Sequence, residues 1–134
     1  MPKPFQLDIF TPERSFFSGE AEGIIVDTPD GELCVLADHE PMVTPLQIGT
    51  MRLNVDGAWR DAFVSEGFME VRPERAVVFT QACEWPENID VQRAEATLQQ
   101  AEERLRQQNS QREYKTTQIT LARAMARLRV TSPR

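Results

Sequence analysis

Leu53-Asn54-Val55-Asp56-Gly57-Ala58-Trp59 decides how the first part of the chain is read. Apolar and polar residues alternate up to an Asp-Gly pair and resume after it. Both central residues of such a pair accept positive φ, which the tight turn of a two-residue hairpin requires. The same punctuation recurs on either side. Upstream, Phe5, Leu7 and Ile9 alternate with Gln6 and Asp8 until Pro12-Glu13 interrupts them, and Ile24-Ile25-Val26 ends at Thr28-Pro29-Asp30-Gly31. There proline presets the first turn position, and Asp and Gly tolerate the later ones. Leu33, Val35 and Leu36 form the next run. Downstream come Phe63-Val64, then Met69 and Val71, then Val77-Val78-Phe79 after Pro73-Glu74. Turns this frequent with no helical period between them predict short antiparallel strands in an all-β sandwich or barrel. Gly67, set within strand-like sequence, predicts a bulge. Trp59 and the phenylalanines are assigned to the core.

The pattern changes at Trp85-Pro86. All six glycines precede residue 68, and of the nine prolines only Pro86 and Pro133 fall in residues 85–134. Residues 1–84 carry 15 acidic against six basic side chains, a net −9, whereas residues 85–134 carry six against nine, a net +3. Asn88 is a candidate cap for the helix that follows. Ala94, Leu98, Ala101 and Leu105 then recur at helical spacing, and a second stripe runs through Tyr114, Leu121, Met125 and Leu128 with Ala122, Ala124 and Ala126 around it. Gln107 to Gln111, with Asn109-Ser110 at its centre, separates them. The prediction is a β + α chain: an N-terminal antiparallel β-sandwich or barrel over 1–85, and a C-terminal antiparallel two-helix hairpin over 86–134. Stripes this thin bury little, so the helices need a surface to dock on. An element with two possible docking surfaces is a candidate switch.

Length and composition bound the function. A chain of 134 residues, 40% hydrophobic and 27% charged, can bury a core of ordinary size. No run approaches a membrane span, and Met1-Pro2-Lys3-Pro4 leads into no apolar signal segment, so a cytosolic-side protein without its own anchor is expected. Two cysteines make no disulfide framework, one histidine makes no histidine-rich metal site, and the net charge of −6 argues against nucleic acid. Cys34 and His39 taken as nucleophile and base lack an orienting third group and an oxyanion site, and buried structural thiols are the commoner case.

The chain resembles the epsilon subunit of bacterial F-type ATP synthases. The resemblance runs from Phe5-Gln6-Leu7-Asp8 to Leu128-Arg129-Val130, through Phe17-Ser18-Gly19-Glu20, Gly31-Glu32-Leu33, His39-Glu40-Pro41 and Phe63-Val64-Ser65-Glu66-Gly67-Phe68-Met69-Glu70-Val71. It continues through Ile89-Asp90-Val91-Gln92-Arg93-Ala94 and Leu121-Ala122-Arg123-Ala124-Met125-Ala126-Arg127-Leu128. No station is specific alone; their order and spacing are. The resemblance implies a non-catalytic central-stalk (rotor) subunit that couples proton or sodium translocation through the c-ring to ATP synthesis, on the cytoplasmic face of the bacterial inner membrane and membrane-associated only through its complex. Its implied partners are the gamma subunit, the c-ring, and the alpha/beta catalytic head when the helices are extended. Folded on the β-domain the helices permit ATP hydrolysis; extended along gamma they inhibit it. The alternative is a β-sandwich adaptor with a permanently docked helical pair.

The resemblance also implies residues. Ile89-Asp90-x-x-Arg93-Ala94 matches the motif at which some members bind ATP. No cofactor is required, and ATP enters as a regulatory ligand. Read on one helix, Asp90 and Arg93 share a face, with Arg93 reaching phosphate and Asp90 accepting from an amino or hydroxyl group. Arg123 and Arg127, four apart, would close over the phosphates, with Glu84 just before the first helix as a further contact. The plain alternative is an intrahelical Asp–Arg pair and a solvated basic face. Gln100 stands where some nucleotide-binding members have a basic residue. In the extended state Arg123, Arg127 and Arg129 would press on an acidic segment of the catalytic beta subunit. Glu32 is assigned to the c-ring side of the stalk contact and His39 to the gamma side, against readings as a solvated acid and a hydrogen-bonded structural histidine. Asp38 and Glu40 replace a common glycine and small residue, and Cys34 another common glycine; Asp38 can still adopt a left-handed conformation.

Overall fold

The computed structural model describes residues 3–107 and 110–132. Its strands are β1 (Phe5–Phe10), β2 (Ser15–Ala21), β3 (Gly23–Thr28), β4 (Gly31–Val35), β5 (Met42–Leu46), β6 (Gly49–Val55), β7 (Ala58–Val64), β8 (Gly67–Arg72), β9 (Arg75–Thr80) and β10 (Cys83–Glu84). They form two five-stranded sheets, β2-β1-β9-β8-β5 and β10-β7-β6-β3-β4. The Asp56-Gly57 turn joins β6 to β7 with φ of 53° and 78°, both positive, and Val55 pairs with Ala58 across it. One pairing departs from the expected antiparallel pattern: β1 runs parallel to β9. The crossover lets the first strand enter the middle of a sheet rather than its edge.

Leu7, Ile9, Met69 and Val78 from the first sheet and Ile24, Val26, Met51 and Leu53 from the second are fully buried in one cluster between the sheets. The strand alternation that points them inward sends their neighbours out. On β7, Ala62 and Val64 face the core, so Trp59 and Phe63 lie on the other side. Trp59 is therefore 44% exposed, under the Arg52 guanidinium, and is not core. Phe68 and Phe79 are likewise outward, stacked on each other at 5.1 Å. Asp8 departs from the alternation the other way: Ser18, Gln6 and Arg75 cover it, leaving it buried.

Gly67 makes no bulge. The β8–β9 register is regular through Gly67↔Thr80, and a bulge occurs instead at Ile9/Phe10 in the β1–β2 pair. Glycine is needed for close approach: a Cβ at 67 would stand 1.9 Å from the Phe79 carbonyl oxygen.

After a 3₁₀ turn, Pro86–Asn88, come α1 (Val91–Gln107) and α2 (Gln111–Thr131). Asn88 belongs to the turn; the residue that caps α1 is Asp90, whose Oδ1 accepts from the Arg93 N–H and whose carbonyl accepts from Ala94. Ser110 caps α2, accepting from the Glu113 N–H. Asn109, placed by the sequence in the interhelix loop, lies outside the described residues. The helices pack through small residues, Ala94 and Ala101 against the side of α2 that carries Thr117 and Ala124. Tyr114 and Met125, expected in the apolar stripe, are 44% and 46% exposed, and Ile119 joins them outside. Alanines bring the axes close, which turns the larger side chains of α2 away. No helix among the described residues is long and apolar enough to cross a membrane.

Candidate functional site

Phe63 positions the site. It points away from the sandwich core, yet it is fully buried, because α2 lies across that face of the second sheet. The Arg127 guanidinium sits 4.5 Å from the Phe63 ring. From there its Nε donates to Glu84 Oε1 at 2.8 Å and its Nη2 to Oε2 at 3.1 Å, a forked pair with both partners about 30% exposed. Two parallel charge-assisted hydrogen bonds fix orientation as well as contact. One turn earlier on α2, Arg123 donates from Nη2 to Glu66 Oε1 at 2.7 Å and from Nε to the Ser65 hydroxyl at 3.0 Å. These two arginines tie the folded-back hairpin to the sandwich.

Beside the Arg127–Glu84 fork opens a cleft of about 460 Å³, lined by Glu84, Asn88, Ile89, Asp90, Arg93, Ala94, Thr97, Ala124 and Arg127. Its walls come from β10, the 3₁₀ turn, α1 and α2. The size falls within the roughly 300–1,000 Å³ of small-molecule sites. Six residues named from the sequence thus meet here: Glu84, Ile89, Asp90, Arg93, Ala94 and Arg127. Arg123 does not line the cleft; Glu66 and Ser65 hold it elsewhere. Asn88, Thr97 and Ala124 complete the lining and carried no signal of their own.

The charges have distinct employments. Asp90 is not on α1 beside Arg93; it precedes the helix, and one oxygen is spent on the cap. The intrahelical Asp–Arg ion pair of the plain alternative is therefore replaced by a backbone cap. Arg93 makes no ion pair among the described residues and is exposed at the cleft, with the first turn of α1 beside it. A guanidinium next to a helix N-terminus favours an anion, and the carboxylates of Glu84 and Asp90 favour donors. The arrangement suits a ligand with a negative end and an amino- or hydroxyl-bearing end.

The other sequence candidates lie apart. Glu32 is exposed on β4, opposite Asp27. His39 Nδ1 donates to the Glu40 carbonyl at 2.8 Å, and Asp38 takes a left-handed φ of 64°. Arg129 is exposed in the last turn of α2. Cys34 is exposed rather than buried, while burial pushes the Cys83 thiol up to about 12, with the neighbouring Glu84 charge adding to it. Among the described residues no group of acidic, Cys or His side chains is placed to hold a metal. Sequence reasoning missed Ser65 and Glu66 as site residues, because Glu66 meets its partner across 57 positions.

Two family models match the chain: "ATP synthase, Delta/Epsilon chain, beta-sandwich domain" over residues 4–86 and "ATP synthase, Delta/Epsilon chain, long alpha-helix domain" over residues 87–132. The chain is 46% identical over 133 residues to the ATP synthase epsilon chain of Caldanaerobacter subterraneus subsp. tengcongensis, covering 98% of this chain and 96% of that one. It is 48% identical over 130 residues to the ATP synthase epsilon chain of Ruminiclostridium cellulolyticum, covering 97% of each. Its fold matches a chain in the OSCP/F1/c-ring structure of Euglena gracilis mitochondrial ATP synthase with a TM-score of 0.81 at 22% identity, over 94% of this chain and 80% of that one. A chain in the central stalk/c-ring structure of the Tetrahymena thermophila mitochondrial enzyme matches with a TM-score of 0.65 at 10% identity, over 97% and 98%.

Proposed function

The chain belongs to the ATP synthase epsilon-chain family, and from that premise we propose that it is a non-catalytic rotor subunit whose helical hairpin regulates ATP hydrolysis. Its sandwich would join the gamma subunit to the c-ring, with Glu32 on the ring side and His39 on the gamma side. The complex would hold it at the cytoplasmic face of the bacterial inner membrane. In the folded-back state, α2 keeps Arg123 and Arg127 engaged on the sandwich. Extended, the same side chains and Arg129 would be released to meet an acidic segment of the catalytic beta subunit.

The observation that carries the switch is the character of the docking surface. Among the described residues the hairpin is held on the sandwich by two arginine–carboxylate links and by one fully buried large side chain of that face, Phe63. Half-exposed ion pairs contribute modestly. Such an interface separates more readily than the sandwich core, whose buried residues come from both sheets. ATP is proposed as the ligand of the cleft, with Arg93 and Arg127 on phosphate and Asp90 and Glu84 on the base and sugar. Because four segments wall the cleft, ATP there would favour the docked form only to the extent of its preference for it.

The test is ATP hydrolysis by the catalytic head assembled with the full chain or with a chain ending after Trp85. Faster hydrolysis with the short chain is expected. Equal rates in intact assemblies would leave the sandwich's coupling role and replace the switch by a permanently docked adaptor.

A further inference from the structure

We infer that the hairpin pivots at the Ile89–Asp90 junction and leaves Trp85 and the 3₁₀ turn on the sandwich, a placement that rests on the reading of the hairpin as a mobile element. The strand period continues past the end of β10. Cys83 is buried in the core, Glu84 points out to Arg127, and Trp85, extended at φ −74° and ψ 146°, turns in again. There it packs on the core cluster at the margin where β10 ends one sheet and β2 ends the other. Phe16 of β2 meets the Trp85 ring at 4.6 Å between centroids. The Arg60 guanidinium of β7 lies 3.7 Å from the same ring's centroid, and Arg60 shares the inward side of its strand with Ala62 and Val64. One residue from each sheet thus holds Trp85 in place.

The residues that follow are tied back to Trp85. The Asn88 N–H donates to the Trp85 carbonyl at 3.0 Å and the Ile89 N–H to the Pro86 carbonyl at 3.2 Å, while Glu87 stands 3.6 Å from Arg60. Asp90 belongs to the other side of the junction. Its carboxylate accepts from the Arg93 N–H and its carbonyl from the Ala94 N–H, so it turns with α1. Among the described residues no backbone hydrogen bond crosses from residues 85–89 to residues 90–107. Since α1 packs chiefly on α2 rather than on either sheet, rotation about the Ile89 and Asp90 torsions breaks the fewest contacts. The mechanical boundary therefore lies beyond the break in composition at Trp85-Pro86. Undocking divides the cleft there: Glu84 and Asn88 stay on the sandwich, while Asp90, Arg93 and Arg127 leave it.

The experiment is a urea titration of the full chain followed by NMR. It reads the Trp85 indole N–H, the Ala101 and Ala124 amides of the hairpin, and the Leu7 and Val78 amides of the sandwich. Elements of low local stability open before the core does. Ala101 and Ala124 should lose their native signals about 1 M urea before Leu7 and Val78, and the Trp85 indole should go with the later pair. Arg60→Ala should bring the Trp85 loss forward by about 0.5 M and leave Leu7 and Val78 in place. A Trp85 signal lost with Ala101 and Ala124 in the wild type overturns the pivot and keeps a mobile hairpin. Loss of all these signals together overturns the mobile hairpin, and the pivot with it. An unmoved Trp85 signal in Arg60→Ala, or an equal advance of Leu7 and Val78, overturns Arg60 as an anchor.

Discussion

Arg93→Ala and Arg123→Ala should separate sharply in ATP binding, although both remove a guanidinium from the same helical hairpin. Arg93 is exposed at the cleft with no ion pair among the described residues, so on the proposed reading its whole hydrogen-bonding capacity is available to phosphate. Hydrogen bonds to charged partners contribute about 1.5–3 kcal/mol, and exposure argues for the lower end. Arg93→Ala should therefore weaken ATP binding about tenfold. Arg123 lies outside the cleft on Glu66 and Ser65, so its loss acts only by loosening α2. If loosening costs about 1 kcal/mol and the docked form stays in the majority, the apparent dissociation constant rises by less than about twofold. The assay is calorimetric titration of the full chain with ATP at one fixed salt concentration, with helicity checked by circular dichroism. Equal losses in the two variants would falsify the division of labour between the arginines. ATP binding by Arg93→Ala as tight as wild type would remove the cleft as its site.

Gly67→Ala places a Cβ 1.9 Å from a backbone oxygen, and the nearest other atoms, the Thr80 Cα and the Phe79 carbonyl carbon, are also backbone and cannot swing away. The cost should reach the upper end of overpacking, about 3 kcal/mol, which lowers the thermal midpoint by roughly 10 °C in scanning calorimetry; a drop under about 2 °C would mean that β8 and β9 part readily at this point. Acid should act through Asp8 and Glu66. The Ser18 hydroxyl, aided by Gln6 and Arg75, holds the Asp8 carboxyl below its ordinary range against the opposing effect of burial. Burial pushes Glu66 up, but the Ser65 hydroxyl and Arg123 outweigh it and hold it low. Groups depressed on folding stabilise the protein above their unfolded pKa, so stability should be level near neutrality and fall once pH drops below about 4. Asp8→Asn should flatten that fall in urea midpoints measured from pH 7 to 3; an equally steep fall would assign it to other carboxylates.

Legibility in the sequence tracks locality. Asp56-Gly57 carries its turn geometry in two residues, so strands β6 and β7 and their register can be read directly. The parallel β1–β9 pairing joins segments at opposite ends of the sandwich and has no local signature. Size alone assigns Trp59 and Phe68 to the core, whereas their neighbours Ala62 and Met69 take the inward positions of the two-residue period. Met125 fails in the same way at helical spacing, since Ala124 and Ala126 occupy the contact. The motif from Ile89 to Ala94 locates one wall of the cleft, but reading Asp90 as a helical residue hides its role as the cap. Glu84 and Arg127 are both evident as candidates, yet their forked pairing depends on how α2 folds back, which no spacing encodes.

The two arginine links and the cleft set a scale for regulation. A ligand at a hundredfold its dissociation constant stabilises the form it binds by about 2.7 kcal/mol. The Arg127–Glu84 fork and the Arg123–Glu66 pair, each about a third exposed, contribute on the order of 1 kcal/mol apiece. These magnitudes are comparable, so neither the ligand nor the two links dominate alone. The cleft's walls belong to β10, α1 and α2, and only the docked hairpin assembles them, so a ligand spanning them has little to bind in an extended chain. Its differential affinity therefore approaches its whole affinity, the most that any ligand can contribute to a two-state shift. A partner that draws α2 away must then supply free energy against both attachments when the cleft is empty, and against the ligand's contacts as well when it is filled. On this reading the difference between those two demands is the nucleotide signal, and the two links together fix the level from which it is measured.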